Sequence, residues 1–225
     1  MKLLNLFKML ILFDVNGVFC FKTRDEADLA NVHKRDIIRG PNYWMVLRPG
    51  LRQMLKELAH EHTLGIFSST TFKNNNLVVK VLEEDGPLFD IKAYREYTQL
   101  DPGFASTDSV KDFDTVKPLK TIWRHPFFNS NRMWSSDNTL LVDDSVLKTR
   151  INPPSNVLVV KEFTRQSYLE GGHTSELKCS IDIALTNLLL KRVHVGPSSS
   201  SIGKSDLPDL APIPSSYPTT SGAIV

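Results

Sequence analysis

Asp14, Ser68, Lys117, Asp143 and Asp144 carry the groups that one chemistry needs, provided the fold brings them together. Asp14 ends an apolar run, Met9 to Phe13, and Gly17 follows within a few residues. Ser68 ends a second run, Thr63 to Phe67. Asp143-Asp144-Ser145 ends a third, Thr139 to Val142. A nucleophilic carboxylate, two further acids, a hydroxyl and an ammonium suit phosphoryl transfer. Two or three carboxylate oxygens hold a hard divalent cation, most simply Mg²⁺. Asp14 attacking phosphorus would form an aspartyl-phosphate and split one difficult step into two. Ser68 would donate a hydrogen bond to a phosphoryl oxygen, and Lys117 would stabilise charge on the transferring group. Taken alone, Asp14 to Gly17 also reads as an ordinary turn, because Asp, Asn and Gly all favour turns.

The elements that must position these groups repeat one theme: apolar strand, polar lip, amphipathic helix. Residues 9–13, 63–67, 90–94, 139–142 and 157–160 read as strands. Leu51, Met54, Leu55 and Leu58 recur at helical spacing. So do Leu77, Val78, Val81 and Leu82 in a helix over 74–82, and Leu177, Ile181, Leu185 and Leu188 in a helix over 175–192. A short helix is predicted over 117–123. Pro49 suits a first helical turn, and His60 and His62 close that helix. The alternation predicts an α/β fold, a parallel sheet with helices on both faces. Parallel strands bring their C-terminal lips to one edge, where such sheets place their ligands. Val18 to Phe21 reads as a hairpin-like flap, the mixed charges from Lys22 to Gly40 as a solvated face, and 98–116 as loops or short strands.

Composition narrows the class. A chain of 225 residues with 41% apolar content supports one ordinary domain with an extension. The net charge of +2 gives no electrostatic footprint for nucleic acid, and no direct nucleic-acid binding is expected. Cys20 and Cys179 are the only cysteines and form neither a metal-ligand pattern nor a disulfide framework. No apolar run reaches the roughly 20 residues that span a bilayer. Met1 to Lys8 superficially resembles a signal peptide, but Asn5 and Lys8 break it and no small-residue cleavage site follows before Asp14. Residues 196–225 are dominated by Ser, Pro, Thr and Gly and are expected to form a disordered tail after a domain spanning 1–195.

The motifs Phe13-Asp14-Val15-Asn16-Gly17-Val18, Ile66-Phe67-Ser68-Ser69, Lys117-Pro118-Leu119 and Leu141-Val142-Asp143-Asp144-Ser145 resemble, in order, the four motifs of the haloacid dehalogenase superfamily. Arg48-Pro49-Gly50-Leu51 is similar to the signature of the branch that dephosphorylates the RNA polymerase II C-terminal domain, which includes the NLI-interacting-factor-like proteins. The segment from Asn152 to Phe163 is similar to the region after motif four in that branch, and the resemblance covers roughly residues 9–190. It implies a Rossmann-like sheet, Mg²⁺ dependence and an aspartyl-phosphate. It also implies metal ligation by Asp14, the backbone carbonyl of Asn16, Asp143 and Asp144. The implied substrate is a phosphoprotein, its phosphoserine or phosphothreonine presented on a segment to a monomeric enzyme of nucleus or cytoplasm. Neither insertion point, 19–43 or 95–116, is long enough for a large cap domain, and an open site admits a protein segment.

One position departs from the family pattern. Where the family has a second aspartate that protonates the leaving group and then activates water, this chain has Asn16. An amide is neither acid nor base near neutral pH. Losing general acid–base catalysis costs about 10²–10⁴ in rate. Three readings follow: a phosphatase with low turnover or another base, a catalytically weakened pseudo-phosphatase that holds a phosphorylated partner, and a phosphotransferase to an acceptor other than water.

Overall fold

The computed structural model describes residues 8–101, 115–171 and 174–195. Its centre is a five-stranded, wholly parallel sheet. The strands are β1 (Leu10–Phe13), β5 (Thr63–Phe67), β6 (Ile91–Ala93), β9 (Thr139–Asp143) and β10 (Val157–Val159), in the spatial order β10-β9-β1-β5-β6. β1 is the middle strand, in register with both neighbours: Phe13 lies beside Ile66 on one side and Val142 on the other. That register aligns the ends of the three apolar runs at one lip of the sheet. All four residues of β1 are fully buried, as a strand covered on both faces requires.

Side-chain alternation sends Ile11 and Phe13 to one face and Leu10 and Leu12 to the other. The first face packs against α1 (Leu51–Glu61), α2 (Phe72–Glu84) and α6 (Thr174–Val195). The opposite face packs against α3 (Leu119–Arg124) and Trp134. The sheet is therefore covered by helices on both sides, as the alternation of the sequence predicts.

Several local expectations change. The flap is β2 (Cys20–Thr23), and its antiparallel partner is β4 (Trp44–Leu47), which also pairs with β3 (Ile37–Arg39) to form a three-stranded sheet. The charged stretch from Lys22 to Gly40 is thus not only a solvated face: Ile38 and Asp36 are buried, and Asp36 accepts a hydrogen bond from the Tyr168 hydroxyl at 2.8 Å. Pro49 does not enter the first turn of α1. Gly50 precedes Leu51 as the helix cap at φ +79°, a left-handed conformation that glycine tolerates best. A Cβ at Gly50 would lie 2.5 Å from Thr174 Oγ1, which donates to the Pro49 carbonyl, so the start of α6 seats on this turn. The predicted helix at Lys117 begins at Leu119, which leaves Lys117 on the preceding backbone. There, β8 (Thr115–Val116) pairs with β7 (Gln99–Leu100). Two short helices, α4 (Val146–Thr149) and α5 (Arg165–Leu169), add to the predicted elements. No described helix is long and apolar enough to cross a membrane. The expected disordered tail, residues 196–225, lies outside the described residues.

Candidate active site

The sequence places an acid at the end of β1 and two at the end of β9, and the parallel register brings them together. Asp14, Asp143 and Asp144 each offer an oxygen within 4.8 Å of the others. Asp14 is 3% exposed and Asp143 fully buried. Lys117 is also fully buried and bridges two of the acids. Its Nζ lies 3.0 Å from Asp14 Oδ2 and donates to Asp143 Oδ2 at 2.6 Å. The remaining oxygens are occupied by local backbone: Asp14 Oδ1 accepts from Val15 N and Asp143 Oδ1 from Ser145 N.

The backbone around Lys117 is held by its neighbours. Lys117 N donates to the Lys148 carbonyl at 2.8 Å. Asn152 donates to the Lys117 carbonyl at 2.8 Å and accepts from Leu119 N at 2.8 Å. The loop after Asp14 is equally fixed. Arg48 Nε donates to the Val18 carbonyl at 2.9 Å, and its guanidinium stacks on Phe163, whose N–H donates to the Gly17 carbonyl at 2.7 Å. Arg48 is thus an anchor of the site loop. Gly17, at φ +81°, is required twice over: a Cβ there would fall 2.2 Å from Asp144 Oδ2.

Asn16 is exposed and, with Asp14, lines a cavity of about 650 Å³. Ser68 is fully buried behind Asp14, and its Oγ accepts from Thr70 N at 3.3 Å, while Thr70 faces the cavity. Lys148, one turn into the helix capped by Ser145, also lines the cavity. No motif of the sequence singles out Lys148. The Ser145 cap just after the paired aspartates is the one signal that a helix start would carry it there.

Charge sets the protonation states. Burial alone would raise the Asp14 pKa, but the charges of Lys117 and Lys148 and a hydrogen bond from Ser68 bring it below the ordinary carboxylate value. Asp14 is therefore a carboxylate, as a nucleophile or metal ligand must be. Burial opposes the charge of Lys117, yet Asp14 and Asp143 hold its pKa above the usual amine range. Asp144 goes the other way: burial and the charges of Asp14 and Asp143 push it up to about 6. Cys20 lines the same cavity, but burial and the Asp14 charge push its thiol up to about 12, so it is no thiolate nucleophile at neutral pH.

These residues fit a hard divalent cation. Three clustered carboxylates present only oxygen donors, and Asp144 Oδ1 is buried with no hydrogen-bond partner among the described residues. The raised Asp144 pKa then gives a signed pH dependence. The folded chain binds this proton more tightly than the unfolded chain, where the carboxyl titrates near 3.8. Its contribution to stability is present below that value and is lost as pH rises through about 6. A cation competes with the same proton, so the thermal stabilisation by added Mg²⁺ is expected to grow between about pH 5 and about pH 7. Equal Mg²⁺-induced melting shifts at both pH values would refute this.

The chain is similar to known proteins in sequence and in fold. An uncharacterised FCP1 homology domain-containing protein of Schizosaccharomyces pombe is 25% identical over 177 residues, covering 77% of this chain and 69% of that protein. The solved structure of Fcp1, an essential RNA polymerase II CTD phosphatase, superposes with a TM-score of 0.51 at 18% identity, over 87% of this chain and 52% of that one. A fission yeast Fcp1 variant bound to beryllium fluoride superposes at 0.50 and 16% identity, over 87% of this chain and 54% of that one. The chain thus spans about half the length of the Fcp1 chains it matches, and at these identities the superpositions speak for the fold. The family assignment comes from the sequence itself, since residues 9–184 match one family along nearly the whole described fold. The chain belongs to the NLI interacting factor-like phosphatases, the FCP1-like branch of the haloacid dehalogenase fold.

Proposed function

We propose that the protein is an Mg²⁺-dependent phosphatase that acts through an aspartyl-phosphate on Asp14, with a phosphoserine or phosphothreonine protein segment as substrate. The observation that carries this reading is the state of Asp14: buried, ionised, at the sheet lip and beside Lys117. Asp14, Asp143, Asp144 and the Asn16 backbone carbonyl would hold the cation. Bound there, the cation would offset the negative charge shared by nucleophile and phosphate.

Asp14 would attack phosphorus with one carboxylate oxygen, expelling the substrate oxygen. Lys117 would hold Asp14 in place and stabilise the charge on the transferring group, with Ser68 as a further hydrogen-bond donor. Asn16 has no proton to give the leaving oxygen and cannot deprotonate the water that must then cleave the acyl phosphate. The second step is consequently slow, and phosphorylated Asp14 accumulates. Such a protein also behaves as a holder of phosphorylated partners, the second reading that Asn16 supports. Substrates of this class and the FCP1-like relatives suggest a nuclear or cytoplasmic setting.

Hydrolysis of p-nitrophenyl phosphate tests the assignment. Mg²⁺-dependent release of p-nitrophenol is expected, with a fast first turnover followed by a slower steady state. Asp14→Asn is expected to remove both phases. Release that persists in Asp14→Asn would place the nucleophile elsewhere.

A further inference from the structure

Catalysis at Asp14 uses one end of a cavity whose about 650 Å³ exceeds what a phosphoryl group fills. We propose that the rest of the cavity binds a second anionic side chain, so that the protein selects phosphorylated segments in which an acidic residue flanks the phosphorylated one. This inference rests on the reading of the cavity as a phosphoprotein site.

Lys22 from β2, Arg24 just after it, Lys148 from α4 and Arg165 from α5 line the cavity, against Asp28 and Glu162 as the acids besides Asp14. Arg165 is already engaged. Its Nε lies 3.5 Å from Asp28 Oδ1 and donates to the Asp28 carbonyl at 3.1 Å. Asp28 Oδ2 in turn accepts from Thr23 Oγ1 at 2.6 Å. Lys148 acts on Asp14 and Asp144, at the end where a phosphoryl group would enter. Lys22 and Arg24 remain, and neither forms an ion pair with a carboxylate among the described residues. Lys22 instead rests 3.5 Å over the Tyr43 ring. Its partial burial and the neighbouring Arg24 charge both lower its pKa.

A second observation lies on the α2 wall. Asn75 is 4% exposed, lines the same cavity, and has a buried Nδ2 with no hydrogen-bond partner among the described residues. An amide left so is costly until an acceptor reaches it. A carboxylate on a bound segment supplies that acceptor and a counter-charge for Lys22 and Arg24, in charge-assisted hydrogen bonds.

Fluorescence anisotropy of the full chain with Mg²⁺ tests this, using labelled phosphoserine peptides flanked by glutamate or by alanine and an unphosphorylated glutamate-flanked control. The glutamate-flanked phosphopeptide is expected to bind roughly tenfold more tightly than the alanine-flanked one. Arg24→Glu, and separately Lys22→Glu, should erase that preference. Lys80→Glu makes the same change of net charge on an exposed part of α2 outside the cavity, and should leave the preference intact. Equal affinity for the two phosphopeptides overturns the inference. So does a preference that survives both cavity substitutions, or one that Lys80→Glu removes. Phosphate-dependent binding without a flank preference would sink this inference alone. Binding that ignores the phosphate would sink the proposed function with it.

Discussion

Asn16→Asp is expected to raise the steady-state hydrolysis of p-nitrophenyl phosphate by about 10²–10⁴. The position is exposed and lines the cavity with Asp14, and Asn and Asp share one shape, so the fold has no reason to object. The gain should lie mainly in the second step. Aryl phosphates have a good leaving group and need little protonation, whereas every acyl phosphate needs an activated water. The first-turnover burst should therefore change little while the steady state rises to meet it. Asn16-Gly17 is a deamidation-prone pair, and conversion to aspartate would create the same acid without a substitution. The Gly17 N–H, whose nitrogen would attack the Asn16 amide, is engaged with the Cys20 carbonyl at 2.8 Å, which restrains that reaction in the folded state. An intact-mass spectrum of the assayed sample belongs with the measurement. A variant no faster than the parent would mean that the acid is not what limits turnover.

Lys117→Met is expected to destabilise the metal-free protein by about 3–5 kcal/mol, because it strands two carboxylates in the interior. Asp14 and Asp143 share this one buried cation, at 3.0 and 2.6 Å, and Asp143 is fully buried while Asp14 is only 3% exposed. At this chain size the loss corresponds to a fall in Tm of roughly 6–20 °C. Added Mg²⁺ should recover part of it by neutralising the same oxygens. Lys117→Met combined with Asp143→Leu should cost less than the sum of the two single changes, since the pair is removed together. A loss below about 1 kcal/mol would match an exposed ion pair and contradict the burial described above.

The acids were legible because each interrupts an apolar run where a buried strand must end. Asp14 after Phe13, and Asp143 after Val142, announce both the strand and its lip. What escaped reading depends on contacts distant in sequence or on pieces too short to show a period. Ile37–Arg39 is three residues long inside a charged stretch, and only its pairing with β4 makes it a strand. Val146 and Leu147 of α4 are exposed, so that helix has no apolar stripe, and Ser145 capping is its sole local mark. Leucine-bearing helices such as α1 were visible in outline, but the left-handed Gly50 that starts α1 answers to Thr174, far along the chain and next to it in space. Asn152 and Lys148 take their places by gripping the backbone of Lys117, and nothing near them in sequence shows that.

The central place of β1 has a consequence for how the molecule is made. On the ribosome this strand emerges long before β9, its partner on one side. The intervening residues, from Phe13 to Thr139, take roughly 6–25 s to synthesise. During that interval one edge of a fully apolar strand has no native partner, and Asp14 lacks both Lys117 and the β9 acids. A nascent chain of this design invites chaperone protection at β1, because an unpaired apolar edge is what other chains pair with. The acidic cluster is consequently among the last parts of the molecule to form, and a truncated chain ending before β9 would carry Asp14 without Asp143 or Asp144.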